Sequence, residues 1–520
     1  MSHLLIAPVL LPAFFGALIV LWMRHDLVLQ RVFSILGTAL LLVLALYLNL
    51  LTADSTVHVY RLGNWAAPFG IVLMVDRLST MMLLLTTILA LSVQLYAVGS
   101  GWDRKGWHFH TLWQFQLMGV CGAFLTGDAF NLFVFFEVLL IASYGLMTHG
   151  GGAMRLRAGV QYVTYNIVGS SLFLVALGLL YTSTGTLNMV DMAQRVAEMP
   201  VGDTALLRVG AVILLLVFAI KAAVVPLHFW LPATYANAPG PVAALFAIMS
   251  KVGIYAIIRF FTLVFPQDSV IETIATDLIL PAALITLALG QIGVVGTQSL
   301  SRLAAFAAIG SIGMLLIPVA RFTPDGVGAG LYYMLHTTLA AAALFLIADL
   351  VISRRGGDGW LRPRPAIRNS GLISALFFAT AIAIAGLPPL SGFLGKLMVL
   401  EVTANDPWMP WIWSVILVTS LLAIIGFARA GSMLFWKADA VAADNSLPLT
   451  PTEAEEHEQN LGDPPSPALS FVAVGMLLTG LVVLTLAAGP VSDYLQTTAD
   501  QLFDLPAYVD AVLTNQEGTK

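Results

Sequence analysis

Of the 520 residues only one is a cysteine, and only 10% carry a charge. Cys121 lies inside an apolar run, so no disulfide can form within the chain and no thiolate metal site is expected. No strand followed by a Gly-rich phosphate loop occurs, and no His/Cys ligand cluster. These gaps argue against bound nucleotide, haem or iron–sulfur centres, and neither a cofactor, a resident metal nor nucleic acid is expected. The opening MSHLLIAPVLLPAFF lacks a positive leader region and an A-x-A cleavage site, so it reads as an uncleaved first span. Lysine is scarce as well: only Lys105, Lys221, Lys251, Lys396, Lys437 and Lys520 are present.

What fills the chain instead is apolar. It is 59% hydrophobic with a mean hydropathy of +0.89, far outside the range of water-soluble proteins. Apolar runs of about 18 residues or more, each able to cross about 30 Å of hydrocarbon, recur along nearly the whole chain. About 14 spans are expected, near 4–23, 31–52, 75–98, 111–127, 129–148, 158–182, 209–234, 240–264, 275–297, 300–320, 325–351, 370–402, 411–436 and 467–489. The fold class is therefore an all-α polytopic membrane protein. One set of loops holds Arg24, Arg31, Arg104, Lys105, Arg155, Arg157, Arg302, Arg354, Arg355, Arg362, Arg364, Arg368 and Lys437. The other set has roughly half as many, so the first is expected in the cytoplasm and both termini outside.

The few charges inside spans are the informative residues. Lys221, Lys251, Lys396 and Glu137 each fall within an apolar run. Each costs about 2.5–3.5 kcal/mol at the bilayer centre, roughly 10 kcal/mol together, which pairing, packing and water must offset. Glu137, Lys221, Lys251 and His336 fall near the middles of spans 5, 7, 8 and 11, and Lys396 follows an interruption in span 12. A row of titratable groups at one depth is what a proton relay requires, each holding a proton and passing it on through water. A nearby carboxylate can switch a buried lysine between holding and releasing its proton. The competing reading of Glu137 and Lys221 is a static ion pair that locks two helices.

Two of the spans are interrupted. FAIKAAVVPLHFWLP, Phe218 to Pro232, carries Pro226 and Pro232, and AIAGLPPLSGFLGK, Ala383 to Lys396, carries Pro388 and Pro389. Freed backbone groups at membrane depth survive only against protein or water. Interrupted spans in corresponding positions point to a transport site between inverted repeats. Spans 4–8 and 9–13 are thus expected as two inverted five-helix repeats with breaks in helices 7 and 12, and Lys396 is expected at the position related to Lys221. The division expected is 1–110 for helices 1–3, 111–264 and 265–437 for the two repeats, 438–466 for an acidic cytoplasmic loop, and 467–520 for helix 14 and a tail. His228, just past the first break, is expected either to cap freed carbonyls or to join the relay. Asp76 and Arg77 read as an interfacial pair, and Asp349 as an interfacial charge beside Arg354 and Arg355. The weakly amphipathic tail after Gly489 is expected at the outer interface or over a partner subunit.

The stretch KAAVVPLHFWLPATYANAPGPVAALFAIMSKVGIY, Lys221 to Tyr255, closely resembles the signature of the antiporter-like subunits of respiratory complex I and its relatives. The resemblance spans about residues 1–490 and implies a 14-helix core with broken helices 7 and 12. It implies proton-transfer roles for Glu137, Lys221, Lys251, His336 and Lys396. Thr126 to Gly152, TGDAFNLFVFFEVLLIASYGLMTHGGG, looks most like the D-type subunits of the multi-subunit Mrp cation/proton antiporters, also called Mnh or Pha. That implies one component of a bacterial plasma-membrane complex, not an enzyme, assembled with subunits A, B, C, E, F and G. Protons would then drive extrusion of sodium or a similar cation. Two alternatives are a proton-pumping subunit of complex I or a membrane-bound hydrogenase, and a scaffold subunit of such a complex.

Overall fold

The computed structural model describes residues 2–200, 204–265, 270–438 and 467–514, and nearly all of them are helical. Among the described residues, eleven helices are long and apolar enough to cross a membrane. The acidic loop expected at 438–466 lies, from residue 439 on, outside the described residues.

The expected spans appear in order. The first three are α1 (Ala7–Trp22), α2 (Leu27–Leu51) and α3 (Arg77–Ser100). Next come α4 (Phe109–Leu125), α5 (Ala129–Met147) and α6 (Ala153–Thr184). A short amphipathic helix, α7 (Met189–Glu198), adds an element beyond the expected spans. Span 7 is split into α8 (Ala205–Ala222) and α9 (Trp230–Asn237), followed by α10 (Gly240–Arg259). Then come α11 (Val270–Gly296), α12 (Leu300–Val319) and α13 (Pro324–Arg354). Span 12 is split into α14 (Ser370–Ala385) and α15 (Ser391–Val402), and α16 (Met409–Gly431) follows. The chain ends with α17 (Pro467–Leu486), α18 (Ala488–Leu502) and α19 (Leu505–Val509). A single π-helical turn follows both α10, at Phe260–Val264, and α16, at Ser432–Trp436.

The loops rich in Lys and Arg gather at one end. Arg31 at the start of α2 pairs with Asp103 beyond α3 at 2.5 Å, and His110 of α4 joins that carboxylate at 3.2 Å. Burial alone would raise the Asp103 carboxyl, but its bonds with His110 and Arg31 outweigh burial and hold it below the usual range. Asp349, at the end of α13, is not paired with Arg354 or Arg355. It accepts hydrogen bonds from Tyr96 Oη at 2.7 Å and Trp102 Nε1 at 3.0 Å. A cavity of about 790 Å³ at this end is lined by Asp349, Lys105, Arg155 and Arg354, among others.

The opposite end is closed by the termini. A strand pair, β1 (His58–Arg61) and β2 (Val72–Val75), runs antiparallel between α2 and α3. Asp76 and Arg77 do not pair with each other. Asp76 caps α3 through a reciprocal capping box with Ser79 and so points back from the helix. There it meets Arg259 at 2.6 and 3.0 Å and the Tyr508 hydroxyl at 2.6 Å. Arg77 turns away, to the Ala53 and Tyr494 carbonyls and the Tyr494 ring. The tail thus covers its own chain: α18 packs on α13 and α3.

Candidate functional site

The site begins at the two breaks. α8 stops at Ala222 because Ala223 adopts a left-handed backbone, φ 58°. Gly386, φ 74°, does the same after α14. Val225–Pro226 and Pro388–Pro389 follow, each a cis peptide bond. Pro232 does not interrupt the chain again. It sits in the first turn of α9, where no intrahelical N–H is needed.

Each break is satisfied by named side chains. Trp230 Nε1 donates to the Ile220 carbonyl at 2.9 Å, and the Val225 N–H donates to Thr286 Oγ1 of α11 at 3.0 Å. His228 is half-buried within the break, its ring against the Pro226 carbonyl and tilted beside the Phe229 ring at 4.5 Å. Among the described residues no hydrogen bond or ion pair joins it to another expected relay residue, which favours the capping reading.

Lys221 lies in the last turn before the first break and is 5% exposed. Its Nζ donates to Asn166 Oδ1 of α6 at 3.2 Å and lies 5.9 Å from the centre of the Phe136 ring. Glu137 of α5 does not form an ion pair with it within 4.0 Å among the described residues, although its charge still acts on Lys221. Glu137 instead accepts a very short hydrogen bond from Ser170 Oγ, one turn along α6 from Asn166. α6 therefore stands between the carboxylate and the ammonium and holds both. Glu137 is half-buried, and it shares its face of α5 with exposed Phe130, Val134 and Ile141.

Lys251 is 0% exposed and its Nζ has no partner among the described residues. It sits on α10, buried at every residue from Pro241 to Arg259 and packed between α8, α13 and α3. Gly253 presses on the backbone at Phe218, Lys221 and Ala222, which leaves no room for a Cβ. α8 and α10 thus come closest beside their two lysines.

His336 on α13 is 1% exposed and is bound to the second break. Its Nδ1 lies 3.0 Å from Ser391 Oγ, the first residue of α15, and its ring meets the Ala383 carbonyl of α14. Lys396 donates to the Ala385 carbonyl at 2.6 Å and to Ser420 Oγ of α16 at 2.8 Å. The two break lysines reach their breaks from opposite sides. Lys221 belongs to the half-helix before the break and Lys396 to the one after it, so they are not position-for-position equivalents.

The five expected residues thus lie along one continuous series of packed helices, α5–α6–α8–α10–α13–α15. Sequence reading missed Asn166, Ser170, Ser391 and Ser420, because neutral polar residues leave little mark on a hydropathy profile. Their signal is a run of small polar residues on otherwise apolar helices, as in Asn166, Ser170 and Ser171 of α6.

Comparison with known proteins bears on this arrangement. A Rhizobium meliloti (strain 1021) protein, named as the D-type subunit of a probable K(+)/H(+) antiporter, is 36% identical, covering 99% of this chain and 98% of that one. A Bacillus subtilis (strain 168) protein, named as the D-type subunit of a Na(+)/H(+) antiporter, is 36% identical, covering 99% of this chain and 100% of that one. A chain in the solved structure of the Mrp complex from Dietzia sp. DQ12-45-1b superposes with a TM-score of 0.84 at 27% identity, over 98% of this chain and 99% of that chain. The family described as NADH:quinone oxidoreductase/Mrp antiporter, TM, matches residues 126–423, the stretch that holds Glu137, Lys221, Lys251, His336, Lys396 and both breaks. On these grounds the chain belongs to the NADH:quinone oxidoreductase/Mrp antiporter transmembrane family.

Proposed function

We propose that this chain is the proton-conducting subunit of a hetero-oligomeric monovalent-cation/proton antiporter in a bacterial plasma membrane. One observation carries the reading: Glu137, Lys221, Lys251, His336 and Lys396 stand on successive packed helices, and three of them meet broken backbone. Ionisable groups inside a membrane are expensive and mark ion paths. A purely structural lysine would be paired, yet Lys251 has no partner among the described residues. Full-length relatives named as D-type subunits of sodium/proton and potassium/proton antiporters support the antiport reading. The likeness to a chain of the Mrp complex supports assembly with Mrp-type partner subunits A, B, C, E, F and G.

In this reading each proton passes by water from Glu137 to Lys221, with Ser170 and Asn166 of α6 orienting the two groups, and then by water to Lys251, His336 and Lys396. His228 caps the first break. The chain acts as a transporter subunit. The shared π-turn after α10 and α16 supports two related halves, 111–264 and 265–437, after an N-terminal unit of 1–110 and before 438–466 and 467–520. The end rich in Lys and Arg faces the cytoplasm, and both termini face outwards.

The test is cation-dependent proton flux in vesicles that hold the assembled complex, with assembly checked on a native gel. Lys251→Ala is expected to abolish antiport while the complex still forms. Normal flux in an assembled Lys251→Ala complex would overturn the relay.

A further inference from the structure

Lys396 has three donors and two assigned acceptors, the Ala385 carbonyl and Ser420 Oγ. The rest of its head faces a small cavity between α11, α12, α13 and α16. The polar groups lining it are Lys396, Gln291, Ser311, Thr419, Ser420 and Tyr333. The cavity measures about 10 Å³, about the space that one water needs. Gln291, in its wall, is 6% exposed, and its Oε1 accepts no hydrogen bond among the described residues. A buried amide oxygen without a donor is uncommon and unfavourable unless water reaches it.

A spare donor, an orphaned acceptor and a one-water cavity between them form a built site. We propose that this cavity holds a water bridging Lys396 Nζ and Gln291 Oε1, and that this water is the first acceptor of the proton leaving Lys396. The inference rests on the relay reading of Lys396. The water accepts from the ammonium and donates to Gln291, with the Ser311 and Thr419 hydroxyls beside it. In the transfer an N–H bond of Lys396 breaks and an O–H bond forms on the water. A proton on the opposite side of that water then passes to the next solvent water, so lysine ends neutral and the site water is restored. Gln291 is a positioning residue: it fixes the orientation of the water and takes no proton itself. The cavity is the same one that Tyr333 lines, and the Tyr333 ring lies 5.6 Å from the His336 ring. The Tyr333 ring therefore stands between the water site and the preceding relay residue.

The assembled complex is tested with Gln291→Leu, which keeps the volume but removes the acceptor, and with Gln291→Glu, which keeps an acceptor. Gln291→Leu is expected to cut proton flux about tenfold or more and to shift the pH profile of flux, with cation affinity and assembly unchanged. Gln291→Glu is expected to retain flux with its own shifted profile. A high-resolution map should show density for the water in the parent complex and none in Gln291→Leu. Parent-like flux and pH profile in assembled Gln291→Leu would overturn the proposal. So would a changed affinity for sodium or potassium with an unmoved pH profile, which would make the cavity a cation site. Lys396→Ala is run beside them. If it transports normally the relay reading has failed, whereas an inactive Lys396→Ala with a fully active Gln291→Leu refutes only the water site.

Discussion

Asn166 and Ser170 stand one turn apart on α6, the first holding Lys221 and the second Glu137. Neither was visible in the sequence, because an asparagine and a serine add little cost to an apolar helix. Glu137, Lys221, Lys251 and Lys396 were visible for the opposite reason, since each charge in an apolar run needs an explanation. The neighbouring charges Asp76 and Arg77 look like partners in the sequence and are not. An N-capping side chain points back from its helix while the next residue points along it, so adjacent charges found different partners. Asn166→Leu is expected to lower antiport about tenfold or more, from the loss of a hydrogen bond to a charged group worth about 1.5–3 kcal/mol. Ser170→Ala should act at the same link, so the double variant should fall short of the product of the two single effects. Simple multiplication of the two effects in vesicle flux would show that the residues act independently.

The long helices were legible because hydropathy is a strong signal wherever a chain must cross lipid. The shorter elements were not. β1 and β2 are four residues each, too brief for alternation to stand out, and α7 is a ten-residue amphipathic helix between spans. Pro232 reads in the sequence as a second interruption, yet a proline in the first turn of a helix interrupts nothing. The breaks themselves begin on left-handed residues of different kinds, Ala223 in one and Gly386 in the other. A left-handed alanine costs about 1–2 kcal/mol that glycine does not. Ala223→Gly is therefore expected to raise the thermal midpoint of the purified complex slightly and to leave antiport intact. Gly386→Ala should do the reverse. Its Cβ would meet both a strained backbone and the Lys396 side chain, displacing the ammonium from the Ala385 carbonyl. Wild-type flux in Gly386→Ala would show that the placement of Lys396 at its break does not matter.

Across the whole molecule, the two ends are built differently. One end is a cationic vestibule, and the other is sealed by β1, β2 and the terminal helices. The tail's docking on its own chain was not foreseeable, because a weakly amphipathic segment looks the same whether it meets lipid, a partner or its own core. Its anchor is Tyr508, whose hydroxyl donates to the fully buried Asp76 carboxylate beside Arg259. Tyr508→Phe keeps the ring and removes only that donor. The expected cost is about 1.5–3 kcal/mol of stability, read as a lower thermal midpoint, with flux per assembled complex unchanged. Lost flux at normal stability would place the Asp76–Arg259 pair on the transport path.

The half-buried position of Glu137 bears on when this chain can conduct at all. Its neighbours on that face of α5, Phe130, Val134 and Ile141, look outwards, so without a companion chain the carboxylate borders hydrocarbon. A charge bordering hydrocarbon is unfavourable. In the proposed relay this is the first station, and in the proposed assembly a docked neighbour would complete it. A copy made in excess, or waiting for its partners, is a wire with one end unconnected. On the proposed relay, such a chain would sit in an energised membrane without draining its gradient.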